Sequence, residues 1–160
     1  MPKEIERKFL VAGDGWREFA RPGKALRQAI VFSEGNRSIR IRLMADNEAR
    51  LTLKIGINGV ARHEFEYDVP IEDAEELLGL ANGGHITKTR YEVEHHGHLW
   101  EIDVYEGDLK GLVVAEVELS SEHDDPALPS WLGREVTGDQ RFSNQALAEG
   151  SLGKDWRHGI

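Results

Sequence analysis

The 160-residue sequence contains no cysteine. Disulfides, thiolate nucleophiles and Cys-ligated zinc or iron–sulfur sites are thereby excluded, and a reducing compartment fits. No apolar stretch approaches the ~20 residues that span a bilayer. Charges between Lys3 and Lys8 interrupt what would be the apolar core of a signal peptide. The chain therefore reads as cytoplasmic, with no membrane partner. A Walker A loop is also missing, because GDGW (13–16) and GING (56–59) are turn glycines and not GxxxxGK[ST] opening a helix. No basic run, zinc-finger spacing or RNP-like aromatic signature is present, and a net charge of −9 gives no long-range attraction to nucleic acid.

What the sequence does have is charge, 31% of residues against 39% hydrophobic. It forms one domain over 1–160, with no low-complexity tract or long linker. Turn signals recur at AGDG (12–15), RPGK (21–24), SEGN (33–36), NGG (82–84), HHGH (95–98) and EGDLKG (106–111). Between them lie short alternating runs, the signature of strands, at 4–11, 26–32, 38–44, 49–55, 62–69, 86–94, 99–105 and 113–119. IEDAEELLGLA (71–81) has helical periodicity, with acidic residues in the first turn where the dipole favours them. DGWREFA (14–20) gives a turn or two of helix, and SNQALAEG (143–150) offers a Ser N-cap and a terminal Gly. The fold class is α+β, antiparallel.

The alternation places charges of one sign in pairs. Glu4 and Glu6 share a face with Lys8; Arg40 with Arg42; Glu64 with Glu66; Glu101 with Asp103; Glu116 with Glu118. Any one such strand is the ordinary wet face of a sheet. Repeated over several strands, like-charged neighbours are unfavourable on a free surface and make sense around a charged ligand. Eight strands close into a barrel about wide enough for one small ligand, and closure removes the sheet edges. The charges then face inward, with Ile39, Ile41, Leu43, Val104, Ala115, Val117 and Leu119 outside, partly covered by short helices.

Six cations fall on the inner faces, namely Lys8, Arg40, Arg42, Lys54, Lys88 and Arg90. So many cannot stay ionised in a closed interior without a multiply charged anion. The inner carboxylates can hold hard divalent cations that bridge to phosphate. A compact polyphosphate with one or two metal ions, and phosphoryl transfer as the reaction class, follow from this pairing.

The order EIERKFLV, SIRIRL, LTLK, HEFEY, TKTRY, EIDVYEG, AEVEL and WLGREVTGDQRFSNQALA resembles the CYTH superfamily, the triphosphate tunnel metalloenzymes, over essentially the whole chain. EIERK matches its ExExK signature, and the likeness is to the short bacterial members that hydrolyse inorganic triphosphate. The resemblance implies a closed eight-stranded tunnel, with Mg²⁺ or Mn²⁺ held by Glu4, Glu6, Glu116 and Glu118. It implies that Lys8, Arg40, Arg42, Lys54, Lys88 and Arg90 contact the triphosphate, that Lys8 is the catalytic residue, and that Glu64, Glu66 and Asp103 are supporting acids. Related tunnels serve adenylate cyclisation or thiamine and nucleoside triphosphate hydrolysis, and a non-catalytic polyphosphate- or nucleotide-binding module is a third reading. Relatives often carry R-Q-G-Y-L on the second strand where this chain has Arg27-Gln28-Ala29-Ile30-Val31, so Ile30 stands in place of a tyrosine thought to help lysine activate water. A monomer or homodimer is expected.

His95, His96 and His98 flank Gly97 and read as a hairpin turn, and Trp16, Trp100, Trp131 and Trp156 as packing residues. Arg134 and Arg141 belong to the surface or to a tunnel mouth, and Trp156 to Ile160 to a loosely held tail.

Overall fold

Nine strands carry the chain in the computed structural model, which describes residues 3–45, 47–58, 60–81, 83–153 and 156. They are β1 (Lys3–Val11), β2 (Lys24–Glu34), β3 (Arg37–Met44), β4 (Ala49–Gly56), β5 (Ala61–Asp68), β6 (Gly83–His95), β7 (His98–Tyr105), β8 (Val113–Glu118) and β9 (Leu132–Glu135). Helix α1 (Ile71–Leu80) follows β5, α2 (Asn144–Ala148) follows β9, and short 3₁₀ turns cover Gly15–Phe19, Gly107–Leu109 and Gln140–Phe142. Eight strands match the alternating runs; β9 is additional. The expected turns at 56–59 and 82–84 each include one residue, Gly59 or Asn82, outside the described residues. Among the described residues no helix is long and apolar enough to cross a membrane.

All pairings are antiparallel, in the order β5-β4-β3-β2-β6-β7-β8-β1-β9, and β5 also pairs with β1. Eight strands therefore form a ring joined by the short β1–β5 seam of Lys3↔His63, Glu4↔Arg62 and Ile5↔Ala61, with β9 appended to β1. The β6–β7 hairpin turns on His96 and Gly97 alone, with φ of 49° and 82°. A two-residue loop with both residues left-handed matches the twist of its strands, which explains HHGH.

Apolar residues on the outer faces make two cores. Ala74 and Leu78 of α1 pack on Ala29, Ile41 and Ala49 of β2–β4, the stripe anticipated from 71–81. Leu78 alone stabilises by ~2 kcal/mol. On the opposite side Trp16 packs with Phe9, Trp100, Ile102, Ala115 and Val117, and Trp131 meets Trp100 edge-on at 6.0 Å.

A third core was not anticipated. Leu10, Ile86, Tyr105 and Val114 lie on the same strand faces as the charges, yet pack with Val136, Phe142, Leu147 and Trp156 of the C-terminal segment. This segment plugs one end of the ring. Ser143 Oγ caps α2 by accepting from the Ala146 N–H at 3.1 Å, and Gly150 (φ 81°) follows its end. Trp156 is buried in the plug, which corrects its assignment to a loose tail; an indole that large finds more apolar area in the ring than in water. Residues 157–160 lie outside the described ones.

Candidate active site

A chamber of about 330 Å³ opens inside the ring, walled by charges from every second residue of seven strands. Seven carboxylates and seven cations line it, so the wall is formally neutral. The charges are not mixed, however. The half formed by β7, β8, β1 and β5 presents Glu101, Glu116, Glu118, Glu4, Glu6, Glu64 and Glu66. The half formed by β4, β3, β2 and β6 presents Lys54, Arg50, Arg40, Arg42 and Arg90, with Ile30 between them. Lys8 on β1 and Arg62 on β5 are the two cations on the acidic half.

Cross-strand register explains how like-charged runs coexist. Several inner residues face an opposite charge across the ladder, as in Lys8↔Glu116, Glu4↔Arg62, Lys54↔Glu64 and Arg90↔Asp103. Others do not, and Glu6↔Glu118, Glu101↔Glu116 and Arg42↔Arg50 oppose like charges directly. Such pairs are unfavourable unless something of opposite sign stands before them.

The electrostatics follow this geometry. Burial, then Glu116 and Glu4, raise the Glu6 carboxyl to about 8. Burial also raises Glu118 and Glu101. Although burial opposes it, Lys8, Arg90, Lys88 and Lys54 hold Glu116 well below the usual carboxylate range. Across the chamber, burial and then Arg40 pull Lys54 down to about 8, and burial and neighbouring guanidiniums lower Arg40 and Arg42. Glu6, Glu118 and Glu101 on one half and Lys54, Arg40 and Arg42 on the other are thus shifted toward their neutral forms, whereas Glu116 and Arg90, each beside opposite charges, are shifted toward their charged forms.

Individual side chains are held from behind. Lys8 Nζ donates to the Phe142 carbonyl at 3.2 Å and lies 3.5 Å from Glu116, which ties β1 to the plug. Arg42 Nε donates to Gln28 Oε1 at 3.1 Å, and Arg40 donates to Thr52 Oγ1 at 3.4 Å. Arg90 grips Asp103 with two bonds of 2.7 and 2.8 Å and reaches Glu101 at 3.3 Å. Lys88 and Asp103 do not line the chamber. Both are sealed behind Arg90, 2.7 Å apart, with Lys88 over the Tyr105 ring.

Glu4 Oε1 lies 3.1 Å from Arg62 Nε, whose N–H is not aimed at it, and 3.6 Å from Lys54 Nζ, beyond hydrogen-bond distance, so it accepts no hydrogen bond. Arg62 Nη2 donates to Glu6 Oε1. Among the described residues no three His, Asp or Glu side chains stand together as a ready-made metal cluster.

Every charged residue expected inside therefore faces the chamber except Lys88 and Asp103. Two cations went unremarked, Arg62 and Arg50, although Arg62 lies two residues before Glu64 and Arg50 four before Lys54, on the same strand faces. Arg141 pairs with Asp139 at the surface, and His98 with Asp124 at 3.0 Å beside its hairpin.

The chamber adjoins a second cavity of about 710 Å³, which shares the Glu6, Lys8, Lys54 and Arg62 walls and extends past Arg37, Asn58 and Thr137.

Comparison with known proteins agrees with this arrangement. The chain is 41% identical over 150 residues to an inorganic triphosphatase of Acetivibrio thermocellus, covering 93% of this chain and 95% of that one. It is 40% identical over 151 residues to an inorganic triphosphatase of Nitrosomonas europaea, covering 91% and 96%. A crystal structure of an inorganic triphosphatase superposes with a TM-score of 0.64 at 36% identity, covering 92% of this chain and 95% of that one. The family model for the CYTH domain matches residues 2–146, all nine strands included, and the chain with its two-signed chamber belongs to that family.

Proposed function

We propose that the chain is a single triphosphate tunnel domain over 1–160, its ring a closed barrel, that hydrolyses inorganic triphosphate to diphosphate and phosphate with one or two Mg²⁺ or Mn²⁺ ions. The observation that carries this reading is the chamber's division into an acidic and a basic half of equal charge number. A bare polyanion is repelled by one half and a bare cation by the other. A metal–triphosphate salt satisfies both. The names of the two relatives point to the same substrate.

Triphosphatases of this family generally depend on divalent metal, and the donor set here fits one. It consists of hard carboxylate oxygens, one of them buried without a hydrogen bond, and Glu6 is raised to about 8 by burial and its acidic neighbours. Glu4, Glu6, Glu116 and Glu118 would hold the ion, which when bound polarises phosphoryl oxygens and acidifies water. Arg40, Arg42, Lys54 and Arg90 hold the triphosphate on the opposite wall, the guanidiniums by forked hydrogen bonds. Their fixed charges oppose the negative charge that builds on the departing diphosphate. Lys8, steadied by the Phe142 carbonyl, presents its ammonium from the acidic half to the reacting phosphoryl group and its water. Glu64 and Glu66 are counter-charges to Lys54 and Arg50. Asp103 fixes the angle of Arg90, and Lys88 supports the substrate wall through Asp103.

Phosphate release from triphosphate, ATP and thiamine triphosphate, with Mg²⁺ or Mn²⁺ and with cyclic AMP measured alongside, tests the reading. Triphosphate is the best substrate, and Glu4→Ala or Glu6→Ala abolishes metal-dependent turnover. Full activity in those variants overturns the tunnel chemistry. Tight triphosphate binding without turnover assigns a binding module instead.

A further inference from the structure

The two cations on the acidic half are held differently. Lys8 lies 3.5 Å from Glu116 but also has a backbone carbonyl to hold it, whereas Arg62 is paired with Glu4 and Glu6, two of the four carboxylates assigned above to metal. Its hold on Glu4 is incomplete, since Nε lies 3.1 Å from Oε1 without a hydrogen bond. Its side chain is one-third exposed and borders both the chamber and the larger cavity, so it has space to turn.

We propose that Arg62 is an exchangeable counter-ion. It neutralises Glu4 and Glu6 until a divalent cation takes their oxygens, and then turns to the phosphate oxygens of the incoming triphosphate. This rests on the reading of Glu4 and Glu6 as metal ligands. A divalent ion and a guanidinium compete for the same lone pairs, and one cluster does not need both charges. Once displaced, Arg62 stands near Lys54 with no carboxylate of its own, a position that favours an anion. Forked bonds to phosphate are what its shape supplies. Metal and triphosphate then assist each other's binding through one side chain, and the assistance is reciprocal.

The test is Mn²⁺ titration of the whole protein without triphosphate, followed by electron paramagnetic resonance, on wild type, Arg62→Gln and Arg37→Gln. Arg37 is an exposed cation on the larger cavity and controls for loss of one charge. Arg62→Gln binds Mn²⁺ about tenfold more tightly than wild type, the order of one charge-assisted pair, while Arg37→Gln matches wild type. In calorimetry with Mn²⁺ present, Arg62→Gln binds the non-hydrolysable imido analogue of triphosphate about tenfold more weakly. Arg62→Lys, which keeps the charge but cannot span both carboxylates, falls between the two and carries the test if the Gln variant does not fold. Mn²⁺ affinity unchanged or weakened in both Arg62 variants, with binding still lost in Glu4→Gln, overturns the exchange and leaves the metal reading standing. Mn²⁺ binding that survives Glu4→Gln overturns both.

Discussion

Asp103→Asn probes the support behind the basic wall. The carboxylate is buried and accepts from Lys88 at 2.7 Å and from Arg90 at 2.7 and 2.8 Å. Asparagine keeps the shape, removes the charge and turns an N–H₂ toward donors. Removing one partner of a buried ion pair costs about 3–5 kcal/mol, and for a chain of this length Tm drops by about 6–20 °C. The pH dependence identifies the cause. Burial lowers Lys88 to about 7 even with Asp103 opposing it, so without that charge its amine falls further. Below pH ~7 wild type then keeps a proton on Lys88 that the variant sheds. The stability gap is therefore widest near pH 5, narrows by at most about 1.4 kcal/mol per pH unit toward pH 7, and is flat above it. Guanidinium titrations at pH 5, 6, 7 and 8, followed by tryptophan fluorescence, measure it. A gap under about 1 kcal/mol, or one that widens as pH rises, refutes the argument. Arg90 loses its anchor at the same time, so KM for triphosphate rises.

Two further variants address the inner wall and the plug. Ile30 faces the chamber, so Ile30→Tyr sets a hydroxyl among the reacting groups and raises kcat on triphosphate on the order of tenfold; unchanged kcat shows that the position takes no part in water activation. Trp156→Ala removes an indole packed in the third core and costs about 3 kcal/mol in denaturant titration. A change below about 0.5 kcal/mol would mean that the residue hangs free.

Strand identity and facing were legible because parity is local. Once Glu4 is inward, Glu6 and Lys8 must be, and the structure puts all three in the chamber. The same rule carried back from Lys54 along β4 and from Glu64 along β5 reaches Arg50 and Arg62, which stand outside the like-charged pairs because Thr52 separates Arg50 from Lys54 and Arg62 is opposite in sign to Glu64. Depth was not legible. Lys88 and Arg90 share a face, but only the ring's stagger and the plug decide that one is sealed and the other lines the wall. Cross-strand partners were hidden too. Arg40 and Arg42 look alike in sequence, yet Arg40 meets Thr52 and Arg42 meets Arg50. β9 escaped because Leu132–Glu135 is four residues long with Gly133 inside, too short for a period to register. The plug escaped because SNQALAEG reads as any amphipathic turn until Leu147 is seen against Tyr105 and Val114.

The contact between the Lys8 ammonium and the Phe142 carbonyl joins groups 134 residues apart. Strand β1 finds its partners in β5, β8 and β9, the last two after more than a hundred further residues. During synthesis the EIERK strand must wait, unpaired, while the meander from β2 to β5 assembles by nearest-neighbour hairpins. Long-range closure of this kind is slow and leaves a sheet edge open to other chains in the interval. A ribosome-stalled chain ending before residue 136 would hold most of the strands and no fixed position for Lys8. The Lys8 end of the chamber is thus completed by a segment made 134 residues later, and a nascent chain has no fixed place for that ammonium until Phe142 has emerged.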